Sequence, residues 1–95
     1  MRFEWDPRKA EANLRKHGVS FDEASTVFGD PLAATVSDPD HSADEARSIT
    51  IGQSASQLLV VVVHAHRGEI IRIISARRPT LGEKKKYAHG QATDR

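Results

Sequence analysis

The sequence contains no cysteine and no long apolar run, and each absence excludes a class of protein. Without cysteine there is no disulfide framework, no thiolate nucleophile and no cysteine-based zinc site. The longest apolar run, residues 58–63, has six residues, whereas a membrane-spanning helix needs roughly 20. Residues 1–6 lack the apolar segment of a signal peptide. We therefore expect a cytoplasmic protein that does not associate with membranes.

The length of 95 residues allows one small hydrophobic core and no second domain. No repeat, linker or low-complexity tract divides the chain. We expect a single domain over residues 1–89 and a flexible tail over residues 90–95.

The formal net charge of +1 hides a strong asymmetry between the two halves of the chain. Residues 1–45 contain five Lys and Arg against ten Asp and Glu, which gives −5. Residues 46–95 contain nine against three, which gives +6. Such a distribution is typical of a surface that attracts a polyanion on one side, although the two halves can also simply neutralise each other.

Three helices are predicted from their capping signals. Asp6 and Pro7 begin the first helix and Gly18 ends it. Residues 20–23 form a capping box that opens a second helix over residues 21–28, where apolar side chains recur at helical spacing. A second capping box at residues 80–83 opens a C-terminal helix through residue 88.

The segment between the helices predicts strands. Strands are expected over residues 32–36, 46–52, 58–66 and 69–77, with a polar loop over residues 37–44 and a hairpin turn at Arg67 and Gly68. The fold class is therefore α+β, with two N-terminal helices, an antiparallel sheet of three to four strands and a C-terminal helix.

A turn at Arg67 and Gly68 places His66 opposite Glu69 and assigns the side chains of the last hairpin to two faces. One face then carries titratable groups, which are His64, His66, Glu69, Ser75 and Arg77. The other is apolar except for Arg72, and we expect it to pack on the helices. A slip of one residue would exchange the two faces.

Basic residues gather where the last strand meets the last helix. Arg77 and Arg78 precede Lys84, Lys85 and Lys86, with Tyr87 beside them. Guanidinium groups bind phosphate oxygens through two N–H donors, and a phenol donates a hydrogen bond or stacks on a base. The alternative is that the lysines are solvated and Tyr87 anchors the helix to the sheet.

Several segments together resemble the BrnT family of toxins from type II toxin–antitoxin systems, which are similar to RelE- and ParE-type toxins. The resemblance extends over roughly residues 3–88, and its most specific blocks are Lys16-His17-Gly18-Val19-Ser20-Phe21 and Arg72-Ile73-Ile74-Ser75-Ala76-Arg77. Further matching segments lie at residues 3–7, 27–31, 41–47 and 83–87.

The resemblance implies a RelE-like fold and a ribonuclease that inhibits translation without a metal ion or other cofactor. It also implies a hetero-oligomer with a BrnA-type antitoxin, through which alone the complex binds operator DNA. An apolar stripe on the first helix, together with Trp5, is one candidate surface for that partner, and Trp5 is alternatively a core residue.

Residue by residue, the resemblance implies a catalytic set and an RNA-binding set. Arg77 would bind the phosphate, with Arg72 as a further cation, Tyr87 orienting the substrate or transferring a proton, and His41 with Glu45 as an acid–base pair. His64 or His66 is the alternative to that pair. The RNA-binding set would consist of Arg47, Arg67, Arg78, Lys84 and Lys85.

Two other classes of function stay open from the residues. His64 and His66 share a strand face, so a zinc hydrolase is one alternative, with further ligands from Asp38, Asp40, His41 and Glu45. A non-catalytic protein-binding module is the other. The enzymatic interpretation requires Arg77 to reach a phosphate, so an internal ion pair of Arg77 with no open basic surface nearby would favour the binding module.

Overall fold

A computed structural model describes the backbone of residues 1–38 and 46–93 and the side chains of residues 1–38 and 46–88. The described chain forms, in order, β1 (Arg2–Glu4), α1 (Pro7–His17), α2 (Phe21–Thr26) with a 3-10 turn (Val27–Gly29), β2 (Ala34–Ser37), β3 (Arg47–Gln53), β4 (Leu59–Arg67), β5 (Ile70–Arg77) and α3 (Leu81–Thr93). The predicted α+β class is confirmed.

The described helices begin at the predicted capping residues, and α1 also ends at the predicted glycine. The Asp6 carboxylate accepts a hydrogen bond from the backbone N–H of Arg8, and Gly18 ends α1 in the left-handed conformation at φ 72°. The Ser20 hydroxyl accepts from the N–H of Glu23 at the start of α2. Each cap satisfies a backbone group that the helix itself leaves without a partner. These boundaries follow from local sequence alone.

Two helix ends differ from the prediction. The second helix ends at Thr26 and continues as the 3-10 turn, one turn short of an α-helix through residue 28. In the other direction, α3 extends past residue 88 to Thr93 and takes up most of the predicted tail. No helix in the described part of the chain has both the length and the apolarity to cross a membrane.

The sheet has five strands in the order β1-β5-β4-β3-β2 and is mixed. The antiparallel pairing of β2 to β5 agrees with the prediction, but β1 adds a strand parallel to β5, with Glu4 opposite Arg72. The predicted antiparallel sheet of three to four strands is therefore wrong in this respect. A three-residue strand is too short to show a periodic pattern, and its partner lies far away in the sequence.

The last hairpin is shifted from the predicted register. The turn consists of Gly68 and Glu69, with Gly68 at φ 62°, so that Arg67 faces Ile70. A positive φ at the first turn position favours glycine, which explains the placement. An irregularity between Val63 and His64 then shifts the pairing by one further residue.

The bulge reverses the predicted roles of the two sheet faces. The face packed against α1 and α2 carries His64, whereas Arg77 points to the opposite face, beside Val61. One extra residue in β5 is enough to move every side chain beyond it to the other face. The expectation that His64 and Arg77 share a face is therefore wrong.

The hydrophobic core lies between the sheet and the helical layer. Its buried members are Val19, Phe21, Ala24, Val27, Val60, Val62, Ile73 and Ala76. Trp5 packs against this cluster with its ring edge-on to Phe21, at a centroid distance of 6.0 Å. Of the two interpretations of Trp5, its packing therefore supports the core residue.

Asn13 joins α1 to the edge of β5. The side-chain amide donates to the carbonyl oxygens of Val19 (2.9 Å) and Ala76 (2.8 Å) and accepts from the N–H of Ala76 (3.1 Å). Ala76 lies four residues beyond Arg72, where the pairing with β1 ends. The amide thus takes the place of a neighbouring strand at an edge that would otherwise be buried without partners.

Replacing Asn13 with alanine removes three buried hydrogen bonds and leaves backbone groups without partners. We expect Asn13→Ala to lower the free energy of unfolding by about 3 kcal/mol, measured by urea denaturation. The matched control is Glu11→Ala on the exposed side of the same helix, where the ion pair with Arg15 is solvated and the loss should stay within about 0.5 kcal/mol. Equal losses for the two variants would contradict the structural role of Asn13.

Candidate functional site

Four side chains from four adjacent strands form a row on the sheet face opposite α1 and α2. Arg47 of β3 pairs with Ala65 of β4, Ala65 pairs with Arg72 of β5, and Arg72 pairs with Glu4 of β1. Neighbouring strands lie about 4.8 Å apart, so Arg47 and Arg72 stand roughly 10 Å apart across the small alanine. We call this side of the sheet the cationic face.

Glu4 lies between two guanidinium groups on the cationic face. Its Oε2 atom is 2.9 Å from Nη1 of Arg72 and 3.9 Å from Nη1 of Arg67. The side chains of Arg72 and Glu4 are 30% and 36% exposed, and that of Arg67 is 57% exposed. All three therefore reach solvent, and a dissolved anion can approach the two arginines.

Arg77 also points to this face but is held by α3. Its two terminal nitrogens donate to the two carboxylate oxygens of Glu83 at 2.8 and 2.9 Å. The hydrogen bond raises the pKa of Arg77, and the same contact holds the pKa of Glu83 at about 2. The side chain of Arg77 is 37% exposed. Arg77 is thus internally paired, while the open basic surface lies along the row of Arg47 and Arg72.

Glu83 has a second task at the start of α3. It accepts a hydrogen bond from the N–H of Thr80 at 2.8 Å, and its own N–H donates to the Thr80 hydroxyl at 3.2 Å. This is the predicted capping box, and it is confirmed. One carboxylate therefore both caps α3 and orients Arg77.

The other predicted RNA-binding residues lie around the end of β5 and on α3. The Nε atom of Arg78 donates to the carbonyl oxygen of Leu59 at 3.0 Å, which holds the guanidinium group against β4. Lys84 and Lys85 are exposed on α3. These positions leave Arg78 and the two lysines near α3, and the structure does not place them in the row of Arg47 and Arg72.

The side chain of Tyr87, a residue of α3, is buried. Its hydroxyl donates to Oδ2 of Asp30 at 2.6 Å, and Asp30 also accepts from the N–H groups of Gln53 and Leu32. Burial alone would raise the pKa of Asp30, but these hydrogen bonds outweigh it and keep the pKa below the usual value. Tyr87 therefore anchors α3 to the loop before β2, which fits the anchoring alternative, and its catalytic role stays a prediction.

His41 and Glu45, the predicted acid–base pair, lie outside the described residues, as does Asp40 of the zinc alternative. The other two histidines of that alternative stand on β4 with ring centroids 5.1 Å apart. Among residues 1–38 and 46–88, no three His, Asp or Glu side chains are grouped as metal ligands.

His64 is buried in the helix-facing side of the sheet. Its Nε2 atom is 2.7 Å from the Thr50 hydroxyl, which is in turn 2.7 Å from the hydroxyl of Thr35. The Nδ1 atom is buried without a hydrogen-bond partner, and the ring meets Phe28 edge-on at 4.8 Å. Burial, reinforced by the nearby His66, lowers the pKa of His64 to about 4. At neutral pH this ring is therefore an uncharged core residue.

Residues 5–83 match the family described as the ribonuclease toxin BrnT of type II toxin–antitoxin systems. The chain belongs to the BrnT toxin family. The matched stretch includes all five arginines of the predicted sites, whereas Lys84, Lys85 and Tyr87 lie beyond its end.

A solved structure supports the same assignment. The crystal structure of the Brucella abortus ribonuclease toxin BrnT aligns with a TM-score of 0.61 and 25% sequence identity, covering 84% of this chain and 97% of that protein. No curated protein matches the sequence. The similarity to a BrnT fold confirms the resemblance on which the predicted functional residues rest.

Sequence reasoning missed Glu4 as a member of the site. Residues 2–5 alternate polar and apolar side chains, but so short a stretch does not distinguish a half-buried strand from a loop. In the structure Phe3 packs toward the core and Glu4 points to the cationic face.

The buried histidine makes stability depend on pH. Because the pKa of His64 is about 4 in the folded state and near 6.5 in the unfolded state, the unfolded chain binds more protons between these values. As the pH is lowered through this range, protonation of His64 in the unfolded chain should lower the free energy of unfolding by up to about 1.4 kcal/mol per pH unit. Urea denaturation at several pH values should show a flatter dependence for His64→Leu than for the parent. Parallel curves for the two proteins would contradict the buried neutral state of His64. The control is His17→Gln, which changes a histidine outside the Thr50–His64 contact.

Proposed function

We propose that this BrnT-family protein cleaves RNA on its cationic face without a metal ion and thereby inhibits translation. The observation that carries the proposal is the row in which Arg47 and Arg72 flank Ala65, with Glu4 and Arg67 beside Arg72. Fixed guanidinium groups bind phosphate oxygens through paired N–H donors and stabilise the negative charge that builds up on phosphorus during cleavage.

The charge distribution on the sheet supports a single-stranded RNA substrate. The cationic face holds its arginines on neighbouring strands, where a flexible phosphate chain can contact several of them at once. Such contacts are electrostatic and independent of base identity, so affinity should fall steeply with salt concentration. The opposite face is occupied by the core.

The main test is cleavage by the purified protein in the presence of EDTA. We expect the parent to cut RNA and Arg72→Ala and Arg47→Ala to bind it more weakly. For each variant the slope of log affinity against log salt should shrink by about 0.7, the value for one lost phosphate contact in a single strand. Fluorescence anisotropy with a labelled RNA oligonucleotide measures the binding.

Arg15→Ala is the matched control, since it removes the same charge from the exposed side of α1, away from the sheet. It should leave both cleavage and the salt slope unchanged. If Arg15→Ala weakens binding as much as Arg72→Ala does, the RNA does not bind the cationic face.

The role proposed for Arg77 requires a phosphate to replace Glu83 as its partner. We expect Arg77→Ala to weaken RNA binding and Glu83→Gln to strengthen it, because glutamine keeps the capping box but does not hold the guanidinium as an anion does. An RNA affinity that falls roughly threefold or more in Arg77→Ala and rises by as much in Glu83→Gln would support the replacement of Glu83 by a phosphate. Equal affinity in both variants and the parent would remove Arg77 from the substrate site.

A type II toxin family implies an antitoxin, and we propose that a BrnA-type protein neutralises this chain and alone carries operator-DNA binding. The acidic N-terminal half of the sequence, with ten Asp and Glu in residues 1–45, suits a basic region of that partner. Co-purification of a hetero-oligomer from co-expressed genes tests the pairing, and a toxin that elutes alone as a monomer contradicts it. We place this interaction in the cytoplasm.

The non-catalytic binding module is the second candidate, and the ion pair between Arg77 and Glu83 favours it. A module of this kind binds its partner but leaves RNA intact under every condition. Cleavage by the parent and its loss in Arg72→Ala would exclude it.

A further inference from the structure

We infer that Glu4 is the general base of the cleavage reaction, accepting the proton of the attacking ribose 2′-hydroxyl. The inference rests on the proposed function, because it assigns a chemical step to the cationic face. Glu4 is not among the site residues predicted from the sequence.

The first support is the position of the carboxylate among the cations. Oε2 of Glu4 lies 2.9 Å from Nη1 of Arg72 and 3.9 Å from Nη1 of Arg67, and the Glu4 side chain is 36% exposed. Arg72 in turn contacts Glu4 through Nη1 and presents further N–H donors. A phosphate held by Arg72 would therefore place its ribose hydroxyl beside the Glu4 carboxylate, within reach of a proton transfer.

The second support is that β1 fixes the carboxylate. Glu4 is the last residue of a strand paired with Ile70–Arg72, and the preceding Phe3 packs into the core with its ring 5.4 Å from that of Phe28. A base on an anchored strand keeps its distance to the neighbouring cation, and such positioning contributes much of the efficiency of proton transfer.

The third support is that three other candidates are unsuited to this step. Glu83 has a pKa of about 2 and both of its oxygens bind Arg77. The Tyr87 hydroxyl donates a hydrogen bond to Asp30, and His64 is buried on the opposite side of the sheet. Glu4 lies at the end of the row of Arg47 and Arg72 and its side chain is 36% exposed, so it combines solvent access with adjacent cations.

The step balances without an oxidant or a metal. Glu4 removes the 2′-hydroxyl proton, the 2′-oxygen forms a bond to phosphorus, and the bond from phosphorus to the 5′-oxygen breaks. The departing 5′-oxygen takes a proton from water, and Glu4 returns its proton to solvent. The products are a 2′,3′-cyclic phosphate and a 5′-hydroxyl end, with the negative charge on phosphorus held by Arg72 and Arg67.

Glu4→Gln tests the inference, since the amide oxygen still accepts the hydrogen bond from Arg72. We expect the single-turnover cleavage rate to fall at least about 100-fold, with affinity for a 2′-O-methyl copy of the same oligonucleotide unchanged. A purely structural role would instead shift the melting temperature and the affinity together with the rate.

Two further variants keep the test decisive. Glu69→Gln removes an exposed carboxylate from the turn between β4 and β5, and this variant should cleave RNA like the parent. Glu4→Asp keeps a carboxylate if Glu4→Gln fails to fold, and it should retain a reduced but measurable cleavage rate.

The outcomes separate the inference from the proposed function. If the parent cleaves RNA and Glu4→Gln cleaves equally well, Glu4 is not the base and the proposed function stands. Products ending in 3′-hydroxyl and 5′-phosphate also overturn the inference, because the 2′-hydroxyl is then not the nucleophile. A parent protein that cleaves no RNA overturns both.

Discussion

The side-chain amide of Asn13 is the contact on which the arrangement of helices and sheet depends. Past Glu4 the chain leaves the sheet to form α1, and the edge of β5 loses its neighbouring strand. Asn13 restores the missing pattern with one acceptor and one NH₂ group, and it also ties down Val19 before α2. Because β5 carries both Arg72 and Arg77, the same contact determines where the cationic face lies relative to the helices.

Because of the bulge in the last hairpin, one side of the sheet carries a buried neutral histidine and the other carries arginines near solvent. On the helix-facing side, burial keeps His64 neutral and linked to Thr50. On the other side, arginines stay near solvent, where their charges cost little desolvation energy. Without the extra residue in β5, Arg77 would share the core side with His64, and the basic residues would not lie on one face.

Local signals in the sequence were sufficient for the helices and for the class of the fold. The caps at Asp6, Ser20 and Thr80 act within three residues, so their prediction needs no tertiary information. Strand register depends on the turn at Gly68 and on the bulge, and β1 depends on a distant partner, so neither is visible in a short window. For the site, composition indicated arginine-rich phosphate binding, whereas the pairing of Arg77 with Glu83 and the placing of Glu4 required the tertiary fold.

The parallel pairing of the first strand with the last has a consequence for the order of synthesis. Glu4 and Arg72 are 68 residues apart, and β5 must leave the ribosome before β1 can dock against it. A nascent or truncated chain ending before β5 carries the carboxylate without Arg72 and lacks the edge that Asn13 completes. The cationic surface is thus assembled only when nearly the whole polypeptide has emerged.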